Sequence, residues 1–567
     1  EIRLSLVGSE MCIRDRAYCV ALPSFSARTT AAHGDSSKRR SASAAVRMFR
    51  REECVVAPLS EESTRRWRIV RLIGAVAALL VAIGGWGGGA VMTQNPITSV
   101  PVINLLSRAP FSSVGLCLIG TSVIVVAWLT MMRYALPLRH YNRGETAVTQ
   151  MTEGQTWTVI AAWVLPLFFT APLFSKDVYS YIAFGYAADH GLDVYSGGPQ
   201  DLLHGGAFVE NVPLEWRHTP AQYGAGFVGL ARLIAALTGD NIVAAIVCYR
   251  FLALVCLVVL AYVVRWLARR CNMRIATALW LGILNPLTLF HIVAGIHNEG
   301  IMLALTLTGL AVGLEGTRYP RHSVRAWVLL IVGACLISWG ASIKLPAVVA
   351  LGFLGVEAAR RWWNRWWSVP IMGVIMVVIM GITVVLATVL SGTTLTWISS
   401  TGAAAQYPTV LTLTNDIAKA AAACGKLLGL GNHYVAIHSF FIAAGLLVSM
   451  VFLLWALWKV YRGELHPVGG FGMSMLVMVL CFPVMHPWYL LWGIIALSAW
   501  INDRRYRVPV VVISAIVSIW IMPQGGTMPF SLNVVIIIET IVLVVAGIFT
   551  WRALFKRDHA LRYGDLS

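Results

Sequence analysis

The residues able to do chemistry gather in a few short runs. The first, Ser175-Lys176-Asp177-Val178-Tyr179-Ser180-Tyr181, sets an acid beside a base at the end of a long apolar stretch. A carboxyl at the mouth of an apolar groove is desolvated on one side, which raises its pKa toward the range of a general base. Asp is also a favoured helix cap, so Asp177 reads as well as the N-cap of a helix beginning at Val178. Further on come Gly191-Leu192-Asp193-Val194-Tyr195, Gly197-Gly198-Pro199 and the run from Trp216 through Arg217, His218, Thr219, Pro220, Ala221, Gln222 and Tyr223 to Gly224. Trp and Tyr faces stack on sugar rings, while Asp, Gln and Arg bond hydroxyls or phosphate. The same aromatics would serve as a belt at a membrane surface.

Three more polar runs interrupt apolar sequence: His297-Asn298-Glu299, Ser342-Ile343-Lys344-Leu345-Pro346 and His486-Pro487-Trp488-Tyr489. Ionisable groups in such places are costly and are functional candidates by default. A phosphate would suit Lys344 and Arg217 equally by type, although a lone lysine also snorkels to an interface. The histidines lack the H-E-x-x-H spacing of a zinc site, no Asp-x-Asp pair exists, and no phosphate-binding G-x-x-x-x-G-K-[ST] loop occurs. A metal centre and an ATP-driven pump are therefore not expected.

The elements that must carry these runs follow from composition. The 567 residues are 58% hydrophobic and only 12% charged, with 44 Lys+Arg against 26 Asp+Glu. Soluble domains carry about 25% charge, so a soluble enzyme or a nucleic-acid module is excluded. The apolar runs are continuous rather than alternating, which selects membrane-spanning helices of about 20 residues over a barrel. Candidate spans are 69–92, 111–132, 156–174, 241–264, 275–296, 298–315, 326–340, 341–357, 368–391, 436–458, 468–485, 488–502, 507–522 and 531–551. The expected fold is an all-α polytopic bundle of 13–14 spans within 69–551. Arginine clusters between spans then fall on the cytoplasmic side by the positive-inside rule, provided 224–239 is re-entrant or interfacial. That places both termini, 48–68 and 552–567, in the cytoplasm, and the loops 175–223 and 393–433 outside. Leu4 to Arg16 reads like a translated sequencing adapter, so 1–47 is expected to be a non-native or disordered extension with Met48 as the start.

The loop 175–223 is acidic and aromatic, and at 49 residues it is far longer than a simple connector. Its ordered set of motifs, with His297-Asn298-Glu299, Lys344-Leu345-Pro346 and His486-Pro487-Trp488-Tyr489, resembles the actinobacterial polyprenol-phosphomannose-dependent alpha-1,6-mannosyltransferases, integral-membrane glycosyltransferases of the GT-C class. The resemblance runs over about 60–555. It implies a polyprenyl-phosphate mannose donor and a mannan lipoglycan acceptor, the backbone of lipomannan and lipoarabinomannan, at the outer face of the plasma membrane. It implies inverting transfer with Asp177, in the first large external loop, as the base that deprotonates the acceptor 6-hydroxyl. Lys344, Arg217 and His486 would hold the donor phosphate. Tyr179, Tyr181, Asp193, Tyr195, Trp216, His218, Gln222, Tyr223, His297, Asn298, Glu299, Trp488 and Tyr489 would meet the sugars. No cofactor is required, and a divalent cation and the oligomeric state stay open. Two positions depart from the family pattern, Asp193-Val194 standing for Asn-Pro and Glu299 for Asp, which leaves the acceptor in question. Without the resemblance, an arabinofuranosyl or galactofuranosyl transferase, or a flippase for lipid-linked sugars, would fit the same composition.

Overall fold

The computed structural model describes residues 56–142, 145–400, 402 and 412–525. The expected extension at 1–47, the middle of the loop 393–433, the last span at 531–551 and the tail at 552–567 lie outside the described residues. Among the described residues the chain is helical apart from one small sheet, in which Val56–Ala57 runs parallel to Glu145–Thr149 and Leu138–Asn142 pairs antiparallel to it.

Every expected span up to residue 522 overlaps a helix, but fewer than the expected 13–14 are full-length among the described residues. Seven are long and apolar enough to cross a membrane: Glu61–Gly88, Pro110–Ala135, Ile242–Arg270, Glu299–Gly316, Val324–Ile343, Ser368–Ser391 and Tyr434–Tyr461. An eighth is made by Ile275–Gly282 and Pro286–Ala294, bent by 53°. The protein is an all-α polytopic membrane protein. The other helices are shorter, such as Glu153–Phe168, Pro467–Cys481 and Pro487–Ser498. A 15-residue helix rises only about 22 Å, short of a hydrocarbon core of about 30 Å. Proline causes several of the breaks: Pro286, Pro346, Pro467 and Pro487 each stand in the first turn of a new helix, where the missing N–H leaves nothing unpaired. The segment read as re-entrant or interfacial is a 14-residue helix, Ala225–Thr238, packed on Asp177–Asp189 and Ser368–Ser391.

Burial sorts the long helices. Glu299–Gly316 has 72% of its apolar window buried in the protein, against 28% for Ser368–Ser391 and 11% for Tyr434–Tyr461. The last two present their apolar sides to lipid, and the first stands at the centre. A clasp joins Pro110–Ala135 to the bent pair: the Trp128 and Trp280 indoles stack at 5.1 Å. Each donates its indole N–H to the other's backbone carbonyl, at 3.0 and 2.9 Å.

Candidate active site

Two backbone segments meet beside the Glu299–Gly316 helix. One runs from Thr170 to Asp177, the other from His291 to Glu299. Both turn on a non-glycine residue in the left-handed region, Phe174 at φ 65° and Ile296 at φ 58°. For a β-branched residue such as Ile296 this is strained, at a cost of about 1–3 kcal/mol, and it persists only where the surroundings dictate it. The Phe174 amide donates to Pro523 O at 2.7 Å, and the Leu173 amide donates across to Ala294 O at 3.1 Å.

Asp177 is the first residue of its helix, Asp177–Asp189, and Lys176 holds the cap position. The Ser175 hydroxyl accepts the Asp177 amide at 3.0 Å, so the alternative reading of Asp177 as a cap fails and its carboxylate is free for another partner. It faces His297, with Oδ2 3.4 Å from Nδ1. The same Nδ1 lies 3.9 Å from Glu299 Oε2, and the other Glu299 oxygen pairs with the Lys344 ammonium. Acid, imidazole, acid and ammonium thus follow one another. Glu299 is fully buried, a placement a carboxylate tolerates only with such partners.

Burial by itself raises the Asp177 carboxyl, but the His297 imidazole, the nearby His486 and the Ser175 hydroxyl outweigh it and hold the group at about 2. The expected upward shift is therefore reversed, because a cationic or donating partner in a desolvated site favours the anion more than burial disfavours it. At His486 burial wins: against the pull of Asp177, and aided by Lys344 and His297, it lowers the imidazole to about 4. His486 is neutral at pH 7 and offers a hydrogen bond rather than a charge.

Asp177, Ser180, Lys344 and His486 open on one cavity of about 420 Å³. Trp216, Thr219, Pro220, Gln222 and Tyr223 reach it from the cap formed by residues 190–223, and Trp488, Tyr489 and Trp492 line another part. Leu345, Val348, Val349, Met478, Phe482 and Val484 make the remainder apolar. Trp488 is sandwiched between the His486 ring at 4.5 Å and the His297 ring at 3.9 Å. Lys344 Nζ sits 4.5 Å from the Tyr489 ring centre and 5.7 Å from that of Trp492. Directly behind the cavity, the Tyr181 hydroxyl accepts the Asn298 amide at 3.4 Å and its ring packs on Tyr223.

Close backbone approach fixes the cap. A Cβ on Gly224 would meet Ser342 O at 2.1 Å, and one on Gly198 would meet Arg217 O at 2.3 Å. Bare glycine lets the Gly224 amide donate to Ile343 O at 3.2 Å, which brings Tyr223 beside Lys344. The Ser400 hydroxyl, from the loop 393–433, donates to Ala221 O at 3.0 Å.

Of the residues expected from sequence, the cavity therefore gathers Asp177, Trp216, Gln222, Tyr223, Lys344, His486, Trp488 and Tyr489, backed by Tyr181, His297, Asn298 and Glu299. Five expected ligands do not line this cavity. Arg217 gives its guanidinium to the Val212 and Glu210 carbonyls at 3.1 and 2.8 Å and does not line the cavity. His218 pairs with Asp201 at 2.7 Å, which with the Gly198 amide holds that carboxyl below its usual range. Asp193 accepts the Tyr195 amide at 3.0 Å, Tyr195 donates its hydroxyl to Tyr223 O at 3.0 Å, and Tyr179 donates to Ala90 O at 2.6 Å. In each case the polar group bonds within the fold. Sequence reasoning passed over Trp492 and Arg250. Trp492 lies one helical turn beyond Trp488, and Arg250 is the one charge in the apolar run 242–264.

A polytopic helical bundle that holds a carboxylate and an ammonium on one aromatic-lined cavity has the make-up of a membrane-embedded sugar-transfer enzyme. The family model described as the N-terminal domain of alpha-(1→6)-mannopyranosyltransferase matches residues 71–360, and the MptB C-terminal domain model matches 414–551. The alpha-(1→6)-mannopyranosyltransferase B of Corynebacterium glutamicum is 35% identical over 480 residues, 83% of this chain and 79% of its own length. A Mycobacterium tuberculosis protein named alpha-(1→6)-mannopyranosyltransferase is 34% identical over 83% of this chain and 85% of its own, and a probable one of Mycolicibacterium smegmatis is 35% identical over 88% of each. The chain belongs to the alpha-(1→6)-mannopyranosyltransferase family. No solved structure matches it.

Proposed function

We propose that the protein transfers mannose from polyprenyl-phosphate mannose to the 6-hydroxyl of an alpha-1,6-mannan acceptor, with inversion, at the outer face of the plasma membrane, extending the backbone of lipomannan and lipoarabinomannan. The observation that carries this reading is the meeting of Asp177 and Lys344 on one cavity with an apolar flank of Leu345, Val348, Val349, Met478, Phe482 and Val484. An apolar flank suits a donor whose phosphate bears a lipid, and the arginine clusters between the spans favour both termini in the cytoplasm and the cap outside. Nucleotide sugars stay cytoplasmic, so a site outside calls for a lipid-linked donor.

In the reaction the acceptor oxygen attacks the anomeric carbon of the donor. Its O–H bond breaks toward Asp177 as the new C–O bond forms and the bond from the anomeric carbon to the phosphate oxygen breaks. The donor phosphodiester carries one negative charge and leaves as a monoester with two, a growth of charge that Lys344 and a hydrogen bond from His486 stabilise. Asp177 is already ionised at neutral pH, and a base that weak takes the proton only as the acceptor oxygen turns acidic on bonding. Tyr223, Trp216 and Gln222 offer the sugars stacking faces and an amide.

The test compares membranes carrying the wild type or Asp177→Asn, given labelled polyprenyl-phosphate mannose and a short alpha-1,6-mannoside. Loss of the base lowers transfer by about 10²–10⁴. Equal transfer by the two would remove Asp177 from its role.

A further inference from the structure

Arg250 stands in the middle of the Ile242–Arg270 helix, only 4% exposed. Its partners are backbone carbonyls. Nη1 donates to Leu167 O at 3.1 Å, Val293 O at 2.9 Å and Ala294 O at 3.4 Å, and Nη2 donates to Thr170 O at 2.8 Å. Leu167 is in the last turn of Glu153–Phe168, and Val293 and Ala294 end the bent pair. Carbonyls at helix C-termini lack intrahelical partners and carry the negative end of the helix dipole. The guanidinium therefore sits where two such ends converge, and its planar fork reaches both at once, which a single ammonium does not.

From Thr170 the chain runs through the left-handed turn at Phe174 to Asp177, and from Ala294 through the left-handed turn at Ile296 to His297. We infer that Arg250 is a positioning residue for the transfer: by binding the two helix ends together it holds Asp177 against His297 with the carboxylate aimed into the cavity. This rests on the reading of Asp177 as the base. Two strained turns keep their shape only if their bases are fixed, and Arg250 fixes both bases to one group.

The experiment measures steady-state transfer by membranes carrying Arg250→Gln, Arg250→Lys or Asp177→Asn, from about pH 5 to about pH 8, per folded molecule as scored by melting of the extracted protein. Arg250→Gln lowers kcat about 100-fold and Arg250→Lys about tenfold, with the donor KM within about twofold of wild type. Both variants also gain an acid limb. With His297 displaced, burial raises the Asp177 pKa, so the base is protonated as pH falls and activity returns as pH rises. If the Gln variant does not accumulate, the Lys variant decides alone. Wild-type kcat and pH profile per folded molecule, with Asp177→Asn inactive, would overturn the inference and leave the base in place. If instead Asp177→Asn transfers normally, the role of the base falls and deuterium exchange decides the tie: uptake rising together in 170–176 and 291–298 of Arg250→Gln supports it, and unchanged uptake sinks it.

Discussion

Lys344 on the cavity floor and Arg217 in the cap are both isolated bases in aromatic surroundings, and by type either suits a phosphate. The fold uses them in opposite ways. Lys344 ends the Val324–Ile343 helix, where Pro346 starts a new turn, and its ammonium meets Glu299 and the ring of Tyr489 on the cavity surface. Arg217 turns inward on its own loop and holds the Glu210 and Val212 carbonyls. The same division runs through the acids. Asp177 and Glu299 share an imidazole at the floor, while Asp193 and Asp201 tie down cap residues. Reactive groups sit where helices break, because a broken helix supplies a buried side chain with rigid support on two sides. A cap made of short turns spends its polar groups on its own shape.

The contrast breaks most clearly at Lys344. Lys344→Met lowers transfer by about 10²–10³ if, as proposed, its cation meets the leaving phosphate. It also leaves Glu299 buried without its partner, a loss of about 3–5 kcal/mol. Adding Glu299→Gln restores the melting temperature and not the transfer. A double variant that transfers normally would show the floor to be as structural as the cap.

His297→Gln has a smaller, pH-dependent effect. The wild-type carboxyl, held at about 2, is ionised throughout the working range. Without the imidazole, burial raises that pKa, so the proton binds as pH falls through the new value and activity is lost on the acid side. Transfer at about pH 5 drops roughly tenfold relative to about pH 8. A flat profile in this variant would mean that another group keeps Asp177 charged.

The smallest effect belongs to Arg217→Gln. Losing charge-assisted bonds to two carbonyls loosens the cap by about 1–2 kcal/mol, read as faster amide exchange in 206–219, while kcat stays within about twofold. A hundredfold fall in kcat with an unchanged cap would return Arg217 to the phosphate and erase the contrast.

The helices were legible in the sequence because membrane burial writes long apolar runs, and the breaks were legible because Pro286, Pro346 and Pro487 interrupt them. Their lengths were less so. The short helices that end at Phe168 and Cys481 read as full crossings, since hydropathy registers apolar content and not where a helix ends. The motifs containing Asp177, Lys344 and His486 stood out as polar islands. What they do to one another did not: His297 is distant from Asp177 in the chain, and only the packing of the two turns sets one nitrogen between two carboxylates, which reversed the expected direction of the Asp177 pKa. That Arg217, His218, Asp193, Tyr195 and Tyr179 lie off the cavity was hidden for the converse reason. Residue type announces hydrogen-bonding capacity, and a folded loop takes up that capacity before any ligand arrives.

The bent pair that leads to His297 is held at both ends. Trp280, near its start, is locked to Trp128 by reciprocal indole bonds, and its far end is bonded to Arg250. A segment anchored in this way is a strut. Rocking that would carry a bound sugar across the bilayer has to shear both anchorages, so the lipid-linked donor of the proposed reaction would come to the site from within its own leaflet.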